Sequence, residues 1–319
     1  MTFLSCNKWR KAYLEAFNFP DDVEVPLDDP DAYRMNPKHR WVYNKLSIAE
    51  LQGIEAGPFG VSPTLQPLFS KPIYNLSSMG VDARKFDTIE AYESEVRAGT
   101  MWCAYLQGEH NSVDLVLLDG KVQWFSFTHG YPLEKGMFDY WEINVTPQSH
   151  LKNYVIKFVQ THLPDYTGAV NVEVLGDKII EVHLRIAGQW LDLYGEDFIR
   201  ALHNLYRDGQ WDYNQWDYNQ WNYNQWNYNQ KQKTSYSVVA FAPPDYYENP
   251  PQEVWEKWCA TSEVFYIQLP SYTESGKFNT MGMPQGGMRL AVINATNLER
   301  AQNLRTEILD WYGFPLSRE

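Results

Sequence analysis

The sequence predicts an α+β fold of about two packed units with a small C-terminal α+β appendage, and three observations carry that expectation. The chain has 319 residues, 44% of them hydrophobic, enough for a sizeable core and for about two units at roughly 150 residues each. Two β-hairpins are legible around Asp119-Gly120 and Gly176-Asp177-Lys178, where short β-branched runs flank turn residues. Helical periodicity recurs between and after them, closing with a capped helix near the C-terminus.

In order, residues 1–40 form a lead-in: an amphipathic stretch from Trp9 to Phe17, then Pro/Asp-rich text that favours turns. From Trp41 the signals become regular. A helix near Ser47–Ile54 precedes a strand Leu68–Ile73, which runs into the small-residue loop Asn75 to Gly80. A helix near Ile89–Arg97 and a strand Met101–Leu106 follow, then the hairpin Val113–Leu118 and Val122–Phe127. Ser149 is the expected N-cap of a helix Leu151–Leu163, whose Leu151, Tyr154, Val155, Phe158 and Val159 share one face. The second hairpin pairs Val170–Leu175 with Ile179–Leu184, and a helix spans Asp197–Tyr206.

Four copies of Trp-(Asp/Asn)-Tyr-Asn-Gln occupy Trp211–Gln230. A five-residue period fits no solenoid repeat, so this is expected to be a low-complexity loop, either an expansion without a role or an aromatic platform. Beyond it Val238–Phe241, Val264–Leu269 and Met288–Ile293 read as strands, and Thr296-Asn297-Leu298-Glu299 as a capping box opening a helix to about Trp311. The expected organisation is thus a lead-in (1–40), a core (41–207, with a lid near 68–100), a repeat loop (208–233) and a C-terminal α+β segment (234–319).

Charge and composition exclude several functions. The 40 acidic and 27 basic residues leave a net charge of −13, which repels a phosphate backbone, so neither nucleic acid nor an anionic membrane is an expected partner. Any anionic ligand must be held by local cations. No apolar run approaches the roughly 20 residues of a membrane helix and the N-terminus lacks a signal-peptide core, so a soluble, cytoplasmic protein is expected. Cys6, Cys103 and Cys259 are too few and too scattered for a disulfide framework or a cysteine zinc site.

Four features stand in a suggestive order: Lys45 at a helix start, Lys71 on a strand before the small-residue loop, Glu109 at a strand exit, and the hairpin carboxylates Glu173 and Glu181. Phosphoryl transfer needs cations on the phosphates, pliable backbone N–H donors, an apolar slot for a base and carboxylates for a metal. Taken singly, a strand lysine is a solvated charge and a hairpin glutamate a polar face; the ordered set carries the argument. Strand alternation puts Glu181, His183 and Arg185 on one side.

At this set the chain resembles the ATP-grasp superfamily of ATP-dependent carboxylate–amine ligases, over about Asn44 to Tyr206. Phe69-Ser70-Lys71-Pro72 and the following loop are similar to that family's second nucleotide lysine and mobile phosphate-covering loop, and Lys45 to its first lysine. The resemblance implies two α+β lobes sandwiching ATP, with Ser77, Ser78, Met79 and Gly80 over the phosphates. It places the backbone of Trp102, Cys103 and Ala104 on the adenine edge and Glu109 on the ribose.

The hairpin Asn171-Val172-Glu173 to Glu181-Val182-His183-Leu184-Arg185 resembles the terminal motif that supplies metal ligands and a transition-state arginine. Glu173, Glu181 and His183 are then implied for Mg²⁺, and Arg185 for catalysis. Histidine stands where the family has asparagine, which suits Mn²⁺ better than Mg²⁺. Only 44 residues precede Lys45, so the family's front domain is expected to be cut short or missing, with part of the acceptor site supplied by the tail or a protein partner. The implied reaction is activation of a small-molecule or peptide carboxylate as an acylphosphate for capture by an amine or thiol. The alternatives are a kinase-like phosphotransferase and a nucleotide-binding scaffold without turnover.

Overall fold

The computed structural model describes residues 2–5, 8–76, 80, 82–95, 97–213, 233–243, 250–261, 264–268, 284 and 286–314. Its elements in chain order are β1 (Phe3–Leu4), α1 (Lys8–Glu15), β2 (Val25–Pro26), α2 (Asp29–Met35), α3 (Lys45–Leu51), β3 (Ala56–Pro58), β4 (Leu68–Pro72), β5 (Arg84–Phe86), α4 (Ile89–Ser94), β6 (Thr100–Ala104), β7 (His110–Leu118), β8 (Lys121–Pro132), β9 (Phe138–Ile143), α5 (Ser149–His162), β10 (Gly168–Leu175), β11 (Lys178–His183), α6 (Glu196–Asp208), β12 (Ser235–Ala242), α7 (Gln252–Cys259), β13 (Val264–Gln268), β14 (Met288–Ala295) and α8 (Leu298–Tyr312). Among the described residues no helix is long and apolar enough to cross a membrane.

Two antiparallel sheets face the site. The small lobe is a four-stranded sheet in the order β3-β6-β4-β5; the large one has eight strands in the order β11-β10-β7-β8-β9-β12-β14-β13. The C-terminal α+β segment is joined to the large sheet, because β12 pairs antiparallel with β9 (Ser235↔Ile143 through Val238↔Tyr140) and β14 pairs with β12. β9 and α7 left no clear periodic signal in the sequence.

The β7–β8 turn shows why local residues choose these elements. Asp119 and Gly120 have φ of 48° and 71°, the left-handed pair that a two-residue hairpin requires. A Cβ on Gly120 would also lie 2.2 Å from the Pro164 carbonyl oxygen. α3 starts at Lys45, two residues before the expected start, because the Asn44 side chain caps it by accepting from the Ser47 amide at 3.1 Å. Gln148, with no side-chain cap bond, precedes α5, and Ser149 is its first helical residue instead of its cap. At α8 the cap is Asn297, which accepts from the Arg300 amide at 3.1 Å, not Thr296.

The β7–β8–β10 part of the large sheet is packed on both faces. One packs α5 through Leu151, Val155, Phe158 and Val159 against Val113, Leu115 and Phe127. The other packs α6 through Phe198, Ile199, Leu202 and Leu205 against Val116, Trp124 and Ala169. The N-terminal segment joins this second core. β1 and β2 pair parallel around α1, and Leu14, Val25 and Leu27 are buried with the α6 residues. Within the Pro/Asp-rich text, Pro30 falls in the first turn of α2, where its missing N–H costs nothing.

Candidate active site

Along β10 the side chains on one face step out of the core. Ala169 is in the apolar cluster, Asn171 donates to Ser112 and Asp114 at 2.8 and 2.9 Å, and Glu173 lines an open cleft. The period of two puts these residues on one face. The cross-strand register then sets Glu173 opposite Glu181 on β11 and opposite Ser112 on β7. The cleft, about 1270 Å³, lies between this sheet and the small lobe. Among its lining residues are eight lysines and arginines against five acids, in a chain whose net charge is −13. The cations that a charged ligand needs are gathered locally.

Both expected lysines converge on the acid hairpin. α3 is clamped to β11 by Gln52, whose side chain exchanges two 2.8 Å hydrogen bonds with the Ile179 backbone. At the other end of α3 the Lys45 amide donates to Ile73 just after β4. Lys45 Nζ consequently lies 2.7 Å from Glu181 Oε1, and Lys71 Nζ donates to the Ile180 carbonyl at 2.9 Å. The two side chains are only 5% and 7% exposed. Burial lowers the Lys71 pKa and Glu181 opposes it. Burial also pushes against ionisation of Glu181, but Lys45, His183 and Lys71 together hold it well below the usual carboxylate range.

The N-terminal segment supplies a residue that the sequence did not single out. Asp29, 2% exposed, opens α2 and is the hub of the hairpin's cationic end. Its Oδ1 is 3.0 Å from His183 Nδ1 and accepts from the Tyr43 hydroxyl at 3.1 Å, while Oδ2 accepts from Arg185 Nη2 at 2.9 Å. Tyr43 in turn accepts from the Leu184 amide. Burial alone would lower the His183 pKa, but the Asp29 carboxylate outweighs it and the group is pushed up to about 9.

The residues expected to hold a divalent cation are Glu173, Glu181 and His183. Glu173 and Glu181 are cross-strand partners. His183 Nε2 is ion-paired with Glu181 Oε2 at 3.4 Å. Asp29 on Nδ1 is the type of outer carboxylate that orients a ligating imidazole, and a metal would displace the proton from Nε2. Among the described residues no group of three His, Cys, Asp or Glu side chains is arranged to hold a metal ion, so Glu173, Glu181 and His183 do not form a ready three-ligand site.

The remaining expected residues are distributed differently. Gly80 lines the cleft; Ser77, Ser78 and Met79 lie outside the described residues. Trp102, Cys103 and Ala104 are in β6, inside the small sheet. Trp102 and Cys103 pair with β3 on one side and β4 on the other, and none of the three lines this cleft. Glu109 is exposed, just before β7, while its neighbour His110 faces the cleft with Nε2 3.3 Å from Glu173 Oε2. The alternation His110, Ser112, Asp114 along β7 was the available signal for this residue. Asp114 also pins the loop after β11, accepting from the Ala187 amide, Trp190 Nε1 and the Tyr194 hydroxyl at 2.9, 3.0 and 2.7 Å.

A small antiparallel lobe closing on a larger sheet, with two lysines and paired carboxylates at their junction, is the ATP-grasp fold. Comparison with known proteins agrees. No protein-family model and no curated protein sequence matches the chain, but solved structures do. An L-amino acid ligase from Bacillus licheniformis matches with a TM-score of 0.62 at 14% identity, over 94% of this chain and 82% of that one. A carboxyaminoimidazole ribonucleotide synthase from Aspergillus clavatus, complexed with ATP, matches with a TM-score of 0.58 at 12% identity, over 97% of each chain. A phosphoribosylamine–glycine ligase from Thermotoga maritima matches with a TM-score of 0.58 at 14% identity, over 94% and 85%. At such identities the likeness is one of fold.

Proposed function

We propose that the protein is an ATP-dependent ligase that activates a carboxylate as an acylphosphate for capture by an amine or thiol. The observation that supports this most directly is the convergence of Lys45, Lys71, Glu173 and Glu181 at one end of a cleft between two antiparallel sheets. In the reaction a carboxylate oxygen of the acid attacks the γ-phosphorus and the bond to the β,γ-bridging oxygen breaks, with ADP departing. The amine or thiol then attacks the acyl carbon, inorganic phosphate leaves, and the nucleophile's proton passes to solvent.

Catalysis rests on positioning and charge neutralisation. Lys45 and Lys71 hold phosphate oxygens, and Gly80, with Ser77, Ser78 and Met79, covers them. Arg185, held by Asp29, faces the transferring phosphoryl group. Glu173, Glu181 and His183 would hold Mg²⁺ or Mn²⁺, which supplies charge neutralisation on the phosphates. His110, already bonded to Glu173, replaces Glu109 as the side chain aimed into the cleft from β7.

The test is ADP release with a panel of acids and amines, with products resolved by mass spectrometry. An amide or thioester supports the ligase; a stable phosphoester would favour a kinase, and binding without ADP a scaffold. Lys71→Ala is expected to weaken ATP binding about tenfold or more, roughly 1.4 kcal/mol, read by calorimetry. Glu181→Gln should abolish metal-dependent ADP release with the fold intact by circular dichroism. Normal turnover in that variant would remove Glu181 from the metal site.

A further inference from the structure

One wall of the cleft is the chain after β11, where Ala187, Gly188, Gln189 and Trp190 line it. Two buried aspartates hold this wall, and they are supplied with donors very unequally. Asp114 accepts from Asn171 Nδ2, the Ala187 amide, Trp190 Nε1 and the Tyr194 hydroxyl, so both of its oxygens are satisfied as a carboxylate. Asp192, 2% exposed, has Asn294 as its side-chain donor, Nδ2 lying 2.7 Å from Oδ1. Asn294 on β14 is itself buried, and the same Nδ2 donates to the Gln189 carbonyl at 2.8 Å. One amide thus ties β14 to the cleft wall at two points.

Both amide hydrogens are used in those bonds, and two oxygens remain. Asp192 Oδ2 and Asn294 Oδ1 are buried with no hydrogen-bond partner among the described residues. With Asp192 ionised, both atoms are acceptors and neither side chain has a hydrogen left to give. A carboxylic acid differs, because its O–H is a donor. One proton on Oδ2, directed at Asn294 Oδ1, satisfies both atoms and closes a reciprocal acid–amide pair. Burial favours the same form, since a buried anion short of donors is costlier than the neutral acid.

The surrounding charges do not reverse this. Arg10 on α1 favours the carboxylate, but burial outweighs both Arg10 and Asn294, and the Asp192 pKa rises to about 7. Tyr13, also on α1, is pushed up first by its own burial, then by Asp192 and by Glu196 at the start of α6. Arg289 on β14 donates to the Gln189 side chain, and β13, the other neighbour of β14, carries no Asp, Glu, Lys or Arg.

We propose that Asp192 and Asn294 form a proton-dependent latch, in which the neutral acid pairs with the amide to fix the Gln189 loop to β14 and loss of the proton releases that wall of the cleft. The step is a plain ionisation: the Oδ2–H bond breaks, the proton goes to solvent and the electron pair stays on oxygen. The latch does not depend on which reaction the cleft carries out. Infrared difference spectroscopy of the full chain should show the carbonyl stretch of a protonated carboxyl at about pH 6 that is lost by about pH 8.5, and Asp192→Asn should lack it. The Leu193 and Gly195 amides, bonded to the Trp190 and Asp192 carbonyls, report on the loop. Their hydrogen exchange, corrected for its intrinsic pH dependence, should quicken about tenfold over that range in the parent. It should stay level in Asp192→Asn, whose amide keeps a donor on Asn294 at every pH. Absence of the band from the parent at the lower pH overturns the latch without recourse to a variant. So does a band that persists in Asp192→Asn, or loop exchange with the same pH course in both proteins.

Discussion

Asp29 illustrates how much one side chain decides here. It is the shared carboxylate for buried His183 and largely buried Arg185, and removing one partner from such a cluster leaves charges uncompensated, at a cost of about 3–5 kcal/mol. Asp29→Asn is therefore expected to lower the unfolding free energy by about that amount in urea denaturation. Asp192 behaves in the opposite sense. It is 2% exposed, its Oδ1 accepts from Asn294, and burial pushes its pKa up to about 7 against the weaker opposing effect of Asn294. A carboxyl whose folded pKa is raised contributes stability below its unfolded pKa of 3.8 and loses it as pH rises through about 7. Asp192→Asn should thus gain on the parent between pH 4 and pH 8, by about 1.4 kcal/mol for each unit of the shift. A constant difference over that range would refute the assignment.

At the level of elements, α3 and β9 each tie local geometry to the cleft. Asn44 caps α3 immediately before Lys45, so Asn44→Ala should cost about 1 kcal/mol of stability. It should also weaken ATP binding, because the first turn carries a phosphate ligand in the proposed site; unaltered affinity in calorimetry would separate the cap from the lysine. Gly130 on β8 faces the Phe138–Trp141 stack of β9. Gly130→Ala is expected to overpack that stack at about 1–3 kcal/mol, seen as a lower urea midpoint.

For the whole molecule, the start of the first repeat copy, Trp211–Tyr213, packs onto the fold. Trp211 and Tyr213 have ring centroids 5.7 and 5.6 Å from that of Phe198 on α6. The rest of the repeat, from 214 on, lies outside the described residues. Deleting residues 216–230 should leave the thermal midpoint and ATP affinity nearly unchanged, since loop length enters closure entropy only logarithmically. Extending the deletion back through Trp211 should lower the midpoint, by loss of apolar contact with α6. Equal effects from the two deletions would place the whole repeat in one class. The eight-stranded sheet that runs from the acid hairpin to β13 is what lets segments from both ends of the chain meet at a single cleft.

What local chemistry can write is legible in the chain without its fold. Hairpin turns, the strand before the small-residue loop, the apolar face of α5 and the order of two lysines and two carboxylates all follow from spacing and turn residues within a few positions. It could not place Asp29 against His183, or Arg289 against Gln189, which are 154 and 100 residues apart in the chain. Those pairings depend on which sheet edge a segment joins, and neither backbone periodicity nor turn chemistry encodes that choice. Tertiary packing decided it, because only a joined sheet and a docked N-terminal segment bury enough apolar surface to offset the cost of ordering these charges.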